Sequence, residues 1–391
     1  MTNTLTRSLL FFLAIACGVT VANLYYCQPL LIEMQNEFKV SVSTIGRIPM
    51  LTQIGYAVGM LFLTPLGDKL NRKVLIFIAS LASGISLFFT ANCHSFIVFE
   101  LVSFLVGVSS IGAQFMIPLV AQLAPDSRRG EAVGKVMTGL LLGILLARSF
   151  SGFIGATWGW RQMYYLSSAW MLLLATLAWF ILPRTKAVFH GSYLKLIGSM
   201  IDLVSEEPIL RESALIGGCL FASFCALWAT LIFHMGSDNF HLGAKAVGLF
   251  GLLGAAGAAA ASLVGKIADR VGPLKTLQLA LFCTFVSFIE LAFFGYSLLG
   301  LSVGIFCMDA GVQSAHVSNQ SRFYKLRPEA RSRMNTIYMF VYFTGGALGS
   351  ILGTWCWHSY QWKGVCSLSI LFVALAILIA TKSHVKRNRR N

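Results

Sequence analysis

Runs of about 20 apolar residues, the length a helix needs to cross the hydrocarbon core of a bilayer, recur twelve times along this chain. They fall at roughly 8–31, 45–66, 74–92, 96–123, 136–157, 163–182, 214–235, 246–267, 275–295, 298–322, 335–357 and 362–381. A spanning strand needs only about 10 residues and alternates in polarity, so the runs read as helices. The expected fold class is an all-α membrane protein of twelve transmembrane helices. With 57% hydrophobic and 12% charged residues, an ordinary soluble fold is excluded.

The formal charge of +15 would suit a nucleic-acid binder, but position decides its meaning. With the N-terminus inside, 24 of the 30 basic residues fall in cytoplasmic segments or at the span ends next to them, 5 fall likewise on the outside, and Arg148 alone lies deep within a span. The charge is topology, and no nucleic-acid partner is expected. Both termini are expected in the cytoplasm. The apolar run after Arg7 continues into Asn23, Tyr25, Tyr26, Gln28 and Pro29, so it reads as a span and not as a cleaved signal. The nine cysteines form no CxxC pair and fall mostly within apolar runs, the pattern of small core residues. Neither a metal nor another cofactor is expected.

The polar break TPLGDKLNRK at Thr64–Lys73 returns as GKIADRVGPLK at Gly265. Two further pairs repeat at nearly the same offset: APDSRRG at Ala124 with RPEARSR at Arg327, and GWRQM at Gly159 with YQWKG at Tyr360. Six spans separate each pair, so the halves run parallel, related by an axis along the membrane normal. The expected organisation is a six-helix bundle at 1–182, a linker at 183–213 and a second bundle at 214–391 with a basic tail, the bundles bracketing a central cavity. Within the linker, YLKLIGSMIDLVSEE has the pattern of an amphipathic helix on the inner surface.

Asp68, Lys69, Asn71, Arg72 and Lys73 after the second span resemble the loop motif of the major facilitator superfamily, G-x-L-A-D-R-x-G-R-K. The second copy, Gly265, Ile267, Ala268, Asp269, Arg270 and Gly272, resembles it more closely; in the first, Thr64 and Asn71 replace glycines. VANLYYCQPLL at Val21, ARSFSG at Ala147 and VSNQSRFYKLRPEARSRMNTIYM at Val317 resemble a bacterial group of efflux permeases. The resemblance implies a multi-pass inner-membrane transporter, proton-linked, with gating loops at Asp68, Arg72, Lys73, Asp269 and Arg270.

Arg148 lies more than two turns from either end of the fifth span, where an arginine costs about 2.5–3.5 kcal/mol. That cost calls for a partner or a cavity, and Arg148 reads either as a brace between halves or as a coupling charge. Many antiporters of the superfamily carry a proline at this place. Gly139, Gly143, Ala147 and Ser151 recur every four residues beside it and are expected to pack closely on another helix, with Gly251, Gly254, Ala258 and Gly265 as a matching face in the eighth span. The counter-ion indicated is Asp309, on a polar stripe with Gln313, His316 and Gln320 in the tenth span. An intramembrane carboxylate is costly when ionised, so Asp309 reads as the proton site or as a static ion pair with Arg148. The arginine that proton-coupled relatives carry in the fourth helix is replaced here by Ser103.

The superfamily fold implies a cavity faced by the first, fourth, seventh and tenth helices, which nominates Asn23, Tyr26, Gln28, Gln114, Phe221, Trp228, Asn319 and Gln320, joined by Tyr338 and Tyr342 of the eleventh. Aromatic surface with a few polar handles suits an amphipathic organic solute. The expected function is alternating-access transport of such a solute, outward in exchange for protons, by a monomer whose other partners are membrane lipids. Proton symport or facilitated uptake is the alternative, and a transporter-like receptor the reading of another class. No nucleophile triad, metal-ligand cluster or phosphate loop suggests an enzyme.

Overall fold

The computed structural model describes residues 5–125, 128–184, 193–327 and 330–388; for residues 68, 194, 260–271 and 383–388 it describes the backbone alone. Helices account for all the regular structure among these residues: α1 Arg7–Ala22, α2 Leu31–Phe38, α3 Val42–Ile45, α4 Arg47–Phe62, α5 Leu66–Lys69, α6 Arg72–Ala91, α7 Phe96–Ser109, α8 Gly112–Leu123, α9 Arg129–Trp158, α10 Trp160–Ile181, α11 Tyr193–Glu206, α12 Pro208–Met235, α13 Ala244–Val271, α14 Pro273–Phe294, α15 Leu298–Phe323 and α16 Arg331–Asn388. The fourth span is α7 and α8, broken at Ser110 and Ile111. The eleventh and twelfth spans are the two arms of α16, which turns at Gln361. The first span ends as an α-helix at Ala22, short of the expected residue 31, and continues through turns into a 3-10 segment, Gln28–Leu30, at Pro29. A proline there cannot donate the N–H that an unbroken helix needs.

Helix starts follow local chemistry. The hydroxyls of Thr6, Ser41 and Ser297 and the amide oxygen of Asn71 accept from N–H groups of the following turn, while Pro208 and Pro273 open α12 and α14 without forfeiting a backbone bond. α11 docks Leu196, Met200 and Leu203, spaced 4 and 3 apart, and leaves Ile201 exposed. It also ties distant segments together: the Tyr193 hydroxyl donates to Phe62 O at the end of α4, and Arg333 donates to Ser199 Oγ at 2.8 Å. Beside it Glu206 and Glu207 hold Arg327 at 2.8 and 2.7 Å, contacts that keep its guanidinium protonated beyond the ordinary arginine range, Glu206 contributing most.

The duplication is visible in the packing. Gly55 of α4 lies against the carbonyl of Phe104 in α7, and Gly257 of α13 lies against that of Phe306 in α15, both offset by 202 residues. Gly143 meets the backbone of Gly18, and Gly345 meets that of Gly218. At each place a side chain would have to displace backbone, so glycine sets how closely the helices approach. Between halves, α9 packs on α13 and α4 on the first arm of α16. Gly152 abuts Ala244, the Ser149 hydroxyl donates to Gly248 O at 2.6 Å, Gly46 abuts Thr354, and the rings of Tyr56 and Phe343 meet edge-on at 4.5 Å.

The small-residue face of the fifth span therefore has a different partner from the one expected. Gly139 and Gly143 pack on Ala14 and Gly18 of α1, and the Ser151 hydroxyl donates to Tyr26 O at 3.0 Å. The register one residue on, through Arg148, Ser149 and Gly152, faces α13. A helix with small residues on adjoining faces packs closely on two neighbours at once.

Candidate functional site

Arg148 is 1% exposed although it sits well inside α9. Its Nε donates to Gln28 Oε1 at 2.6 Å, and its guanidinium carbon lies 4.1 Å from the ring centre of Trp228, 4.9 Å from that of Tyr25 and 5.2 Å from that of Phe224. A desolvated cation–π contact contributes about 2 kcal/mol and a charged hydrogen bond about 1.5–3 kcal/mol, enough together to offset the insertion cost. The arginine is held by aromatic faces and an amide, contributed by the first and seventh spans.

Asp309 of α15 is also 1% exposed, and no carboxylate among the described residues lies within ion-pair distance of Arg148. The two charges share a neighbour instead. A Cβ built on Gly251 of α13 would lie 3.1 Å from Arg148 Cβ, and one built on Gly254 would lie 2.8 Å from Asp309 Oδ2 and 3.0 Å from Trp228 Cζ2. Gly251 and Gly254 lie about one turn apart on α13, so the stem of Arg148 and the carboxylate of Asp309 pack on the same glycine ridge, with Trp228 beside Gly254 and its ring against the guanidinium. Arg148 Nη2, Trp228 Nε1, Gln28 Nε2 and Asp309 Oδ2 are all buried without a hydrogen-bond partner, as are both amide atoms of Asn23. Buried polar groups are seldom left in this state, so around Arg148 three donors (Arg148 Nη2, Trp228 Nε1 and Gln28 Nε2) and one carboxylate oxygen, Asp309 Oδ2, stand unsatisfied.

Apart from Tyr26 and Asn319, the remaining nominated residues lie toward the face that carries the termini. The Tyr338 hydroxyl and His316 Nδ1 are hydrogen-bonded at 3.0 Å; Phe221 stacks on Tyr342 at 4.0 Å and 17°; Gln320 donates to Asn335 Oδ1 at 3.4 Å. Gln114 donates to the Tyr56 hydroxyl at 2.9 Å, and Gln313 is half-buried. The polar stripe of α15 thus stays on one face but changes neighbour along its length: Asp309 meets α13 and α12, while His316 and Gln320 meet α16. A cavity of about 1000 Å³ between α1 and α9 is lined by Phe11, Ile15, Leu142 and Phe150 and includes Tyr26 alone of the nominated residues. The exposed stripe of α9 that lines it continues to Phe153 and Trp158, which marks the cavity as membrane-facing.

Of the gating residues, Asp68, Asp269 and Arg270 have side chains outside the described set. Arg72 donates to Gln122 Oε1 at 2.6 Å, and Lys73 Nζ lies 5.4 Å from the ring centre of Trp179. Both contacts stay within the first half, and neither reaches the second.

Sequence reasoning missed the ion pair of Glu212 and Arg322, each about 6% exposed at the side chain, with Asn319 Oδ1 accepting from Arg322 at 3.4 Å. Asn319, nominated for a cavity, sits instead in this buried pair. His234, which nothing in the sequence pattern singles out for burial, is 1% exposed, stacked on Trp362 at 4.0 Å and bonded to Gly295 O at 2.8 Å. Tyr25 and Phe224 were missed around Arg148. The helical position of Tyr25 next to Gln28, and of Phe224 one turn before Trp228, was the available signal.

Comparison with known proteins gives consistent findings. Residues 10–326 match the family model described as Major Facilitator Superfamily. The "Uncharacterized transporter YgaY" of Escherichia coli O157:H7 is 38% identical over 375 residues, covering 96% of this chain and 95% of that protein. Among solved structures, a bacterial homolog of the human lysosomal transporter Spinster, inward-facing and unoccupied, superposes with a TM-score of 0.77 at 16% identity, covering 95% of this chain and 94% of that one. A point mutant of the nucleoside transporter NupG gives a TM-score of 0.72 at 15% identity, covering 95% of this chain and 98% of that one.

Proposed function

Because this chain belongs to the major facilitator superfamily and is a multi-pass membrane transporter, not an enzyme, we propose that it moves a small organic solute outward by alternating access, in exchange for protons carried by Asp309. The observation that carries this reading is the pair of buried, opposite charges on one glycine ridge, drawn from different halves and out of contact with each other. A rocking of the halves about α4, α9, α13 and α16 changes what each charge can reach. With a proton, Asp309 is neutral and tolerates burial; without one, it needs a counter-charge. Arg148 stays charged throughout and sets the field in which that proton comes and goes. Tyr25, Cys27, Cys225 and Tyr342 are the other titratable groups near the pair.

Everted membrane vesicles, acidified within by respiration and loaded with a pH-sensitive dye, test this proposal. Addition of a transported amphipathic solute should release protons from the lumen, and Asp309→Asn should abolish the release. Proton uptake on solute addition would show symport and overturn the outward direction.

A further inference from the structure

We propose that the solute is a zwitterion, a compact organic molecule carrying one anionic and one cationic group on an apolar or aromatic body. This rests on the transport reading above and names the substrate class for the same site.

The site presents two different vacant valences. Arg148 Nη2, Gln28 Nε2 and Trp228 Nε1 are buried donors without acceptors; Asp309 Oδ2 is a buried acceptor without a donor. If the solute were an anion alone, it would satisfy the first set and leave the carboxylate uncompensated beside a new negative charge. A cation alone would satisfy Asp309 and bring a positive charge next to Arg148. A molecule with both groups compensates both, and leaves the bound site electrically neutral in the low-dielectric interior where an unpaired charge is most costly.

The spacing supports this. The stem of Arg148 and the carboxylate of Asp309 meet the same helix at Gly251 and Gly254, and Trp228 reaches both the guanidinium and Gly254, so one small molecule can touch both charged groups. Trp228 borders both, and Tyr25 and Phe224 flank the arginine, so the body of the solute meets aromatic surface. Trp228 and Tyr25 cover the guanidinium, and room for the solute comes from their withdrawal as the first and seventh spans move.

The class also fits the direction of coupling. The ammonium of a zwitterion needs Asp309 ionised, so a proton on that carboxylate and a bound solute exclude one another. Mutual exclusion is what exchange requires.

The test uses two matched sets of probes on the purified full chain in detergent, with binding followed by calorimetric titration. The first set is L-phenylalanine, phenethylamine and 3-phenylpropionate; the second, with wider charge separation, is 4-(aminomethyl)benzoate, benzylamine and benzoate. In at least one set the zwitterion should bind about tenfold or more tightly than either single-charge analogue, the worth of one charged hydrogen bond. Asp309→Asn should remove that preference by weakening the zwitterion to the level of the carboxylate, and Asp309→Glu should retain it. The proposal is overturned if a single-charge analogue matches the zwitterion in both sets, or if neither zwitterion binds. The wild-type comparison decides even if a variant misfolds. No proton gradient is present, so the outcomes separate: if zwitterions fail while another solute drives proton release from vesicles, the substrate class falls and the exchange reading stands.

Discussion

An arginine inside a span is tolerated when its surroundings replace water, and Arg148 shows how this is done without a carboxylate in contact. Trp228 and Gln28 stabilise the ion in place, which leaves Asp309 available for a proton. We therefore expect Arg148→Ala and Asp309→Asn each to abolish transport while the protein still inserts and folds, checked by uptake alongside size-exclusion profiles; full pH-dependent transport by either would rule out their role. Trp228→Leu should destabilise the protein by about 2 kcal/mol, read as a lowered melting temperature, because the desolvated cation loses its best ring. The Glu212–Arg322 pair behaves differently. Removing one partner strands the other, so Glu212→Gln should cost about 3–5 kcal/mol without selectively affecting proton coupling. The two arginines also differ in legibility. Arg148 stands out because no other basic residue lies deep within a span, whereas Arg322 falls at the cytoplasmic end of the tenth, where nothing in the local pattern tells that it turns inward to Glu212.

The elements themselves were legible because the apolar runs are long, while their breaks depended on finer chemistry. The interruption of the fourth span at Ser110 lies inside an apolar stretch and leaves little mark in hydropathy, while the turn after Ala22 coincides with Asn23, Gln28 and Pro29, which dent the apolar run without ending it. The junctions between the last two helices of each half show the duplication at its most local. Gly159 joins α9 to α10 with φ 88° and ψ 156°; Gln361, 202 residues later, joins the arms of α16 with φ 53° and ψ −149°. Each is followed by a tryptophan, whose indole donates to Glu37 in the first half and to Leu291 O in the second. Glycine is at ease in such a conformation and glutamine is not. Since Gln361 is exposed, Gln361→Gly should stabilise the chain by about 1 kcal/mol, seen as a higher melting temperature with transport unchanged.

At the scale of the whole molecule, the scaffold repeats and the charges do not. By the same 202-residue offset Asp309 corresponds to Gly107 and Arg148 to Ser350, so each half contributes one charge where the other has a small residue. Sequence doubling revealed the symmetric part; the asymmetric part, in which the charges share the ridge at Gly251 and Gly254 without touching, required coordinates. If the halves rock, the contact of Gly46 with Thr354 must open in one state. A Gly46→Cys, Thr354→Cys double variant should form a disulfide on mild oxidation once the two segments part by about 1 Å, since a Cβ on Gly46 would lie 2.7 Å from Thr354 Cβ and a disulfide holds its Cβ atoms about 3.5–4.5 Å apart. Transport should stop on oxidation and return on reduction; undiminished transport by the oxidised form would mean that this contact does not open. The closely spaced junctions have one more consequence. On the face opposite the termini, α9 passes to α10 through Gly159 alone and the arms of α16 turn at Gln361 alone, so the chain on that side is concentrated in residues 23–46, with α2 and α3, and in residues 236–243. An antibody, a protease or an inserted tag finds no foothold at those two tight junctions and must engage the longer connections at 23–46 and 236–243.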